Sequence, residues 1–318
     1  MPRADLTGIG KDCDERQRGK GKRMSLTMKK VITLVICLFV AIAMVGVQTE
    51  TASAAAAPKL AKKSMKVYQG GTAKLKVKNA KKAKITYRSM NKKIATIDKK
   101  GKIKGKKSGN TKIKVVVKKG GKKYKFYCKI RVKKAKIAVL DCGASKSVKV
   151  AKAYTVTDAP ARGKKGGHAD RQIKRMKKEA SKAAIISIRV SDSDDVIYSS
   201  AIAKGLKVAL KEKVDIIYYS CYSKGCTEDE EELVYECIDK KIPIVGPAGN
   251  DNGKDARKMN WMTEVEGCTV VGAWGDKGIL KSSNTHANLY IEAGSTSAAA
   301  ARYAGMLAAG HVYDVHYK

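Results

Sequence analysis

Between Lys59 and Ala135 the chain alternates apolar residues and lysines at period two, as in Lys112-Ile113-Lys114-Val115. Successive side chains of a strand point to opposite faces, so this alternation predicts half-buried antiparallel strands with lysines on the wet face. The breaks "QGG", "KKG", "SGN" and "KGGKK" supply turns. About seven short strands in about 75 residues amount to a small all-β sandwich over 59–135. After Lys136 the pattern changes. "KIAVLD", "AAIISIRVS", "VDIIYYSCYS", "IPIVGPAGN" and "CTVVGAW" are apolar on both faces. Amphipathic segments separate them: Ile173 and Met176 share one face, as do Ile202, Leu206 and Leu210. Thr227 and Glu230 read as a capping box opening a helix that buries Leu233, Val234, Cys237 and Ile238. Strands apolar on both faces, alternating with helices, predict an α/β domain over 136–318 with a mostly parallel sheet covered on both sides. The chain is therefore multidomain.

A third pattern precedes both. Met28-Lys29-Lys30 leads into the apolar run Val31 to Val47, followed by the small-residue exit Ala52-Ser53-Ala54. This predicts a leader over 1–54 holding a secretory signal peptide, with an uncleaved signal-anchor as the alternative. The residues before Met24 carry no hydrophobic pattern, so Met24 or Met28 is the expected start. Any membrane contact is expected through this segment alone. The expected location is secreted or on a bacterial cell surface.

The formal net charge of +38 changes meaning once it is located. Residues 59–136 hold 31 Lys and Arg against one acid, Asp98, whereas residues 137–318 hold 27 Lys and Arg against 23 acids. The excess belongs to the sandwich. It suits attachment to an anionic cell-wall polymer, or it simply keeps an exported sandwich soluble. Export and the lack of any reading motif argue against nucleic acid. Six cysteines follow Ala54. They permit disulfides outside the cell or stay as buried thiols, and their spacing does not fit zinc.

Parallel sheets gather ligands and catalytic groups at the carboxyl ends of their strands. Asp141 closes the first strand in "AVLDCG", and His168 opens a helix in "GGHADRQI". Asn250 ends a strand in "GPAGND", and Ser297 opens the last helix in "GSTSAAAARYAG". Singly these are ordinary turn and cap residues. Together they give the chain order Asp, His, Ser with Asn between the last two, one of the known orders of a nucleophile–base–acid triad.

Two resemblances follow from these phrases. "SMKVYQGGTAKLKV", "RSMNKKIATIDKKGKIKGKKSGNTKIKV" and "KYKFYCKIRV" make residues 59–135 similar to the group 2 bacterial immunoglobulin-like domains, which implies a spacer or adhesion unit. "IAVLDCG", "GGHADRQI", "DIIYYSCY", "PIVGPAGNDN" and "STSAAAARYAGML" make residues 137–309 resemble a compact subtilisin-like serine protease. That resemblance implies hydrolysis of protein or peptide substrates with no cofactor and no metal. It assigns Ser297 as nucleophile, His168 as general base and acid, and Asp141 as the group that holds the imidazole. It makes Asn250 an oxyanion donor and Ser220 a backbone partner of substrate.

Departures from that family are visible too. Ala169-Asp170-Arg171 replaces Gly-Thr-His, and Ala301-Arg302 replaces Pro-His. Tyr222 stands where the family has glycine and is expected to narrow the groove. The loop before "STS" is almost absent, "SDSDDV" at 191–196 reads as a solvated turn, and the sandwich occupies the place of an inhibitory propeptide. The alternative function is accordingly an inactive scaffold acting as a surface binding module.

Overall fold

Lysine alternation does build a sandwich, with more strands than the pattern announces. The structure, a computed structural model, describes residues 56–192 and 197–317. The expected leader, its apolar run 31–47 and residues 193–196 of the "SDSDDV" turn lie outside the described residues. Nine strands come first: β1 (Lys59–Leu60), β2 (Ser64–Tyr68), β3 (Thr72–Lys74), β4 (Val77–Lys78), β5 (Lys84–Ser89), β6 (Ala95–Ile97), β7 (Lys102–Gly105), β8 (Gly109–Lys119) and β9 (Lys122–Lys133). One sheet has the order β2-β9-β8-β5, a second β3-β7-β6, and β1 pairs with β4. Pairing is antiparallel throughout except between β2 and β9, which run parallel. Ile113, Val115, Val117, Cys128, Ile130 and Val132 fill the space between the sheets with Val67, Leu75 and Ile103. The intervening lysines face solvent, as period two requires.

Among the described residues, nine further strands and five α-helices follow. The strands are β10 (Lys136–Asp141), β11 (Lys152–Thr155), β12 (Ala184–Arg189), β13 (Ile216–Tyr219), β14 (Ile244–Pro247), β15 (Cys268–Gly275), β16 (Gly278–Ile279), β17 (Leu289–Glu292) and β18 (Val315–His316). The helices are α1 (His168–Glu179), α2 (Ser199–Lys211), α3 (Glu228–Asp239), the short α4 (Ala256–Met259) and α5 (Thr296–Ala309). The sheet order is β11-β12-β10-β13-β14-β15-β17-β18, with β16 beside β15. Only the β15–β16 and β17–β18 pairs are antiparallel. Among the described residues no helix is long and apolar enough to cross a membrane.

Each face of the sheet carries its own core. Ile137 and Val139 of β10 point towards α1 and α5, where Ile173, Met176 and Ala299–Ala301 meet them. Ala138 and Leu140 point the other way, towards α2 and α3. On α2 the buried stripe is Ile202, Leu206 and Ala209, and Leu210 is only partly covered. Thr227 caps α3 by accepting from Glu230 N at 3.4 Å. The reciprocal half of the expected capping box is absent. Glu230 instead turns inward, is 1% exposed, and accepts from the hydroxyls of Tyr219 and Ser199. Thr227 N donates to Ser199 Oγ at 2.9 Å in its place. Burial raises the Glu230 carboxyl above its ordinary value, against the lowering effect of those two hydroxyls.

The sandwich docks at the amino ends of the strands. Asp215, just before β13, accepts from Lys133 Nζ at 2.6 Å, Lys66 Nζ at 3.3 Å and Lys136 N at 3.1 Å. Gly71 lies against the carbonyl of Ala309 at the end of α5. The carboxyl edge of the sheet is left clear.

Helix α5 owes its position to small residues. Ala298–Ala301 and Ala304 are 0–2% exposed. A Cβ on Gly305 would lie 2.8 Å from Met176 O and 2.9 Å from Glu179 Cβ on α1. Replacing a helical glycine by alanine ordinarily stabilises by about 1 kcal/mol. At this crossing the sign reverses. Gly305→Ala is expected to cost about 1–3 kcal/mol through overpacking, read as a lower midpoint in urea unfolding. A midpoint equal to or above wild type would contradict the packing described.

Candidate active site

Each chemical group is placed by a different element. Asp141 ends β10, His168 begins α1, Asn250 follows β14 and Ser297 is the second residue of α5. The strands concerned are neighbours, so their carboxyl ends share one edge. Gly305 follows Ser297 by eight residues, and Met176 follows His168 by eight. Both side chains therefore lie about 12 Å before the point where α1 and α5 cross, at 1.5 Å per residue.

Asp141 is 2% exposed, and both its oxygens are used. Oδ1 accepts from Cys142 N at 2.7 Å, and Oδ2 lies 2.8 Å from His168 Nδ1. A carboxylate only accepts, so Nδ1 carries a proton, and in the neutral ring Nε2 presents the lone pair. That lone pair faces Gln172 Nε2 at 2.9 Å. Among the described residues no hydrogen bond joins His168 to Ser297.

The front of α5 is tied down at three points. Ser295 is the N-cap, its Oγ accepting from Ala298 N at 3.3 Å. Tyr218, fully buried on β13, donates to Ser297 O at 3.3 Å. Asn250 Oδ1 accepts from both Thr296 N and Thr296 Oγ1, at 3.2 and 3.1 Å. With its oxygen so engaged, the exposed Asn250 amide turns its NH₂ outward. Ser297 itself is half-buried. Ser220 N donates to Leu140 O at 3.2 Å, placing Ser220 just beyond β13 on the same edge.

Several departures from the expected motifs have structural work. Tyr222 OH donates to Asp251 Oδ1 at 3.1 Å, and Asp251 Oδ2 accepts from Asn284 Nδ2 at 2.8 Å. A Cβ on Gly249 would meet Tyr222 Cε2 at 2.8 Å. The ring thus lies across the gap between the ends of β13 and β14. Arg302 bridges Glu179 of α1 at 3.0 Å and Asp314 at 3.1 Å, tying α5 to its neighbours. Asp170 is 1% exposed and accepts from Ser145 N, Ser145 Oγ, Ser147 Oγ and Gly166 N, at 2.9, 2.7, 3.4 and 2.9 Å. It therefore pins the loop after β10 to the turn before His168. Burial pushes its carboxyl up, but those hydrogen bonds outweigh burial and hold it below its ordinary 3.8.

The motif reading missed Asp170, Tyr218, Thr296 and Gln172. Gln172 lies four residues after His168, one helical turn on and therefore on the same face, which was a legible signal. Its Oε1 is buried with no partner among the described residues, an arrangement that costs about 1–3 kcal/mol. No three His, Cys, Asp or Glu side chains cluster as metal ligands among the described residues. Cys128, Cys221, Cys226, Cys237 and Cys268 are thiols. Burial pushes Cys221, Cys237 and Cys268 up to about 12, so they stay protonated at neutral pH.

Residues 55–126 match the bacterial Ig-like domain (group 2) family. No curated protein matches the chain. Among solved structures, a serine-to-alanine mutant of the protease domain of PatA aligns at 17% identity and TM-score 0.46, over 57% of this chain and 82% of that one. A cold adapted subtilisin-like serine proteinase aligns at 17% identity and TM-score 0.48, over 55% and 74% of the two chains. The prenylagaramide maturation protease PagA aligns at 14% identity and TM-score 0.47, over 57% and 79%.

The Asp170 clamp makes a pH-dependent prediction. Its pKa is lower folded than unfolded, so its stabilisation is present above the unfolded value and drains away as pH falls through the folded value. Asp170→Ala strands the two buried donors of Ser145 and is expected to cost about 3 kcal/mol near neutral pH. The stability gap between wild type and variant, measured by urea unfolding, should shrink below the ordinary carboxylate value of 3.8. A gap unchanged from about pH 6 down to about pH 3 would contradict this role.

Proposed function

We propose that the α/β part is a serine-type endopeptidase of the subtilisin-like kind, acting on protein or peptide substrates. The observation that carries the proposal is the His168 Nδ1 to Asp141 Oδ2 contact of 2.8 Å, made at the strand edge where α5 presents Ser297. It is a proton arrangement suited to a general base.

In the proposed reaction Ser297 Oγ attacks the scissile carbonyl carbon while its proton passes to His168 Nε2. The carbonyl π pair moves onto oxygen, and Asp141 stabilises the imidazolium without taking its proton. Collapse of the tetrahedral species breaks the C–N bond, and His168 returns the proton to the departing amine. Water then repeats the sequence on the acyl-enzyme, releasing the acid and regenerating Ser297. Asn250 Nδ2 and Ser297 N are the oxyanion donors, and the Asn250 oxygen, held by Thr296, aims its NH₂. Ser220 pairs its backbone with substrate. Tyr222, lying across Gly249, restricts the adjoining groove to small side chains.

The chain is read as leader 1–54, Ig-like sandwich 59–135 and catalytic domain 136–318, with export to the cell surface or medium. The sandwich is read as the attachment module. Its outer face sets Lys112 opposite Lys129, Lys118 opposite Lys123 and Arg88 opposite Lys114. Like charges directly opposite each other are destabilising, and an anionic wall polymer relieves them.

Three tests bear on these readings. A fluorophosphonate probe should label the wild type at Ser297 and leave Ser297→Ala unlabelled. Peptidase activity should fall about 10⁴-fold in Asp141→Asn and about 10²–10³-fold in Asn250→Ala. A folded wild type that takes no label favours the inactive scaffold. On immobilised polyphosphate, a Lys112→Gln/Lys129→Gln double variant should elute at lower salt than wild type, with both released by about 1 M salt. Equal elution would remove that face from the attachment role.

A further inference from the structure

Among the described residues, Gln172 is the side chain hydrogen-bonded to the nitrogen on which the proposed chemistry turns. It is 3% exposed on α1, and its Nε2 lies 2.9 Å from His168 Nε2. With the amide nitrogen facing a neutral ring, the partner assignment follows from the hydrogen bonds. Asp141 Oδ2 claims the Nδ1 proton, so His168 Nε2 accepts and the Gln172 amide donates. The same lone pair is the one that must receive the Ser297 proton. One acceptor cannot serve both donors at full strength, and no hydrogen bond joins His168 to Ser297 in the arrangement described.

A second observation concerns the other end of the amide. Gln172 Oε1 is buried and has no partner among the described residues. The amide is therefore held in place by its contact with the imidazole and by packing alone. Turning it away from the ring forfeits one hydrogen bond and breaks no wider network. Asp170, two residues earlier, is by contrast locked by four.

We infer that Gln172 is a positioning residue that caps His168 Nε2 in the resting protein and yields it when substrate binds. The cap keeps the imidazole in its Nδ1-protonated tautomer and keeps Ser297 unactivated until the groove is filled. This inference rests on the endopeptidase reading for its consequence, though not for the hydrogen bond itself.

Two near-isosteric variants pull in opposite directions. Gln172→Met removes the donor and leaves Nε2 open, so fluorophosphonate labelling of Ser297 should accelerate about tenfold, the worth of one such hydrogen bond. Gln172→Glu replaces the donor with an acceptor, which draws a proton onto Nε2, and labelling should slow by about tenfold or more. A residue that merely fills space would slow labelling in both variants or change neither, and either result overturns the proposal. The wild-type protein supplies a readout that needs no variant of Gln172. In a long-range proton–nitrogen correlation spectrum of isotope-labelled protein, assigned through its loss in His168→Ala, the His168 ring should show a protonated Nδ1 and an unprotonated Nε2. A proton on Nε2 would overturn the cap. If no form of the protein takes the fluorophosphonate, the endopeptidase reading fails and the ring spectrum decides the cap by itself.

Discussion

Gly305 allows α5 to lie against the backbone of α1, and the geometry of the carboxyl edge follows from that approach. A single added carbon would sit 2.8 Å from Met176 O. With the two helices in contact over the same face of the sheet, their amino ends emerge beside the ends of β10, β13 and β14. His168 then reaches Asp141, and Thr296 reaches Asn250. The alanines that precede Gly305 serve the same end. Larger residues would lift the helix off β13 and carry Ser297 with it.

Polar groups lock what packing brings together. Asp170 gathers two loops around the start of α1, and Arg302 ties α5 to Glu179 at the far end of that helix. Tyr218 holds the carbonyl of Ser297 from below. Each is buried or half-buried and each is hydrogen-bonded, as the cost of an unpaired buried group demands. Gln172 Oε1 departs from that economy, and it does so one bond away from the imidazole. Docking the sandwich at the amino ends of the strands, through Asp215, leaves all of this open to solvent on the other side.

The sequence made the long elements legible and the short ones hard to see. Five apolar runs became β10, β12, β13, β14 and β15 because strands buried on both faces leave an unbroken apolar signal. β11 is "KAYT", exposed at both ends, and β17 is a four-residue strand that reads as the lead-in to the last helix. Their pairing is decided by the neighbouring strands, which no local pattern reveals. The parallel pairing of β2 with β9 escaped for the same reason. Thr227 and Glu230 illustrate tertiary context overriding a local motif. Tyr219 and Ser199 offer the Glu230 carboxylate two hydroxyls inside the fold, and the capping role passes to Ser199. Asp141, His168, Asn250 and Ser297 were legible through their place at strand ends and helix starts. Asp170 was not, because its meaning depends on the loops it joins, and Gln172 was legible only as a neighbour of His168 one turn on, since its contact with the ring depends on its rotamer.

The central claim is that Ser297, His168 and Asp141 act as one unit with Asn250 opposite. The most direct measurement is a crystal structure of the protein after reaction with a peptidyl phosphonate. The account predicts phosphorus bonded to Ser297 Oγ, one phosphoryl oxygen about 2.7–3.1 Å from Asn250 Nδ2 and from Ser297 N, and the Gln172 amide swung off His168. An adduct on another residue, or a phosphoryl oxygen turned away from Asn250 in an otherwise intact fold, would contradict it.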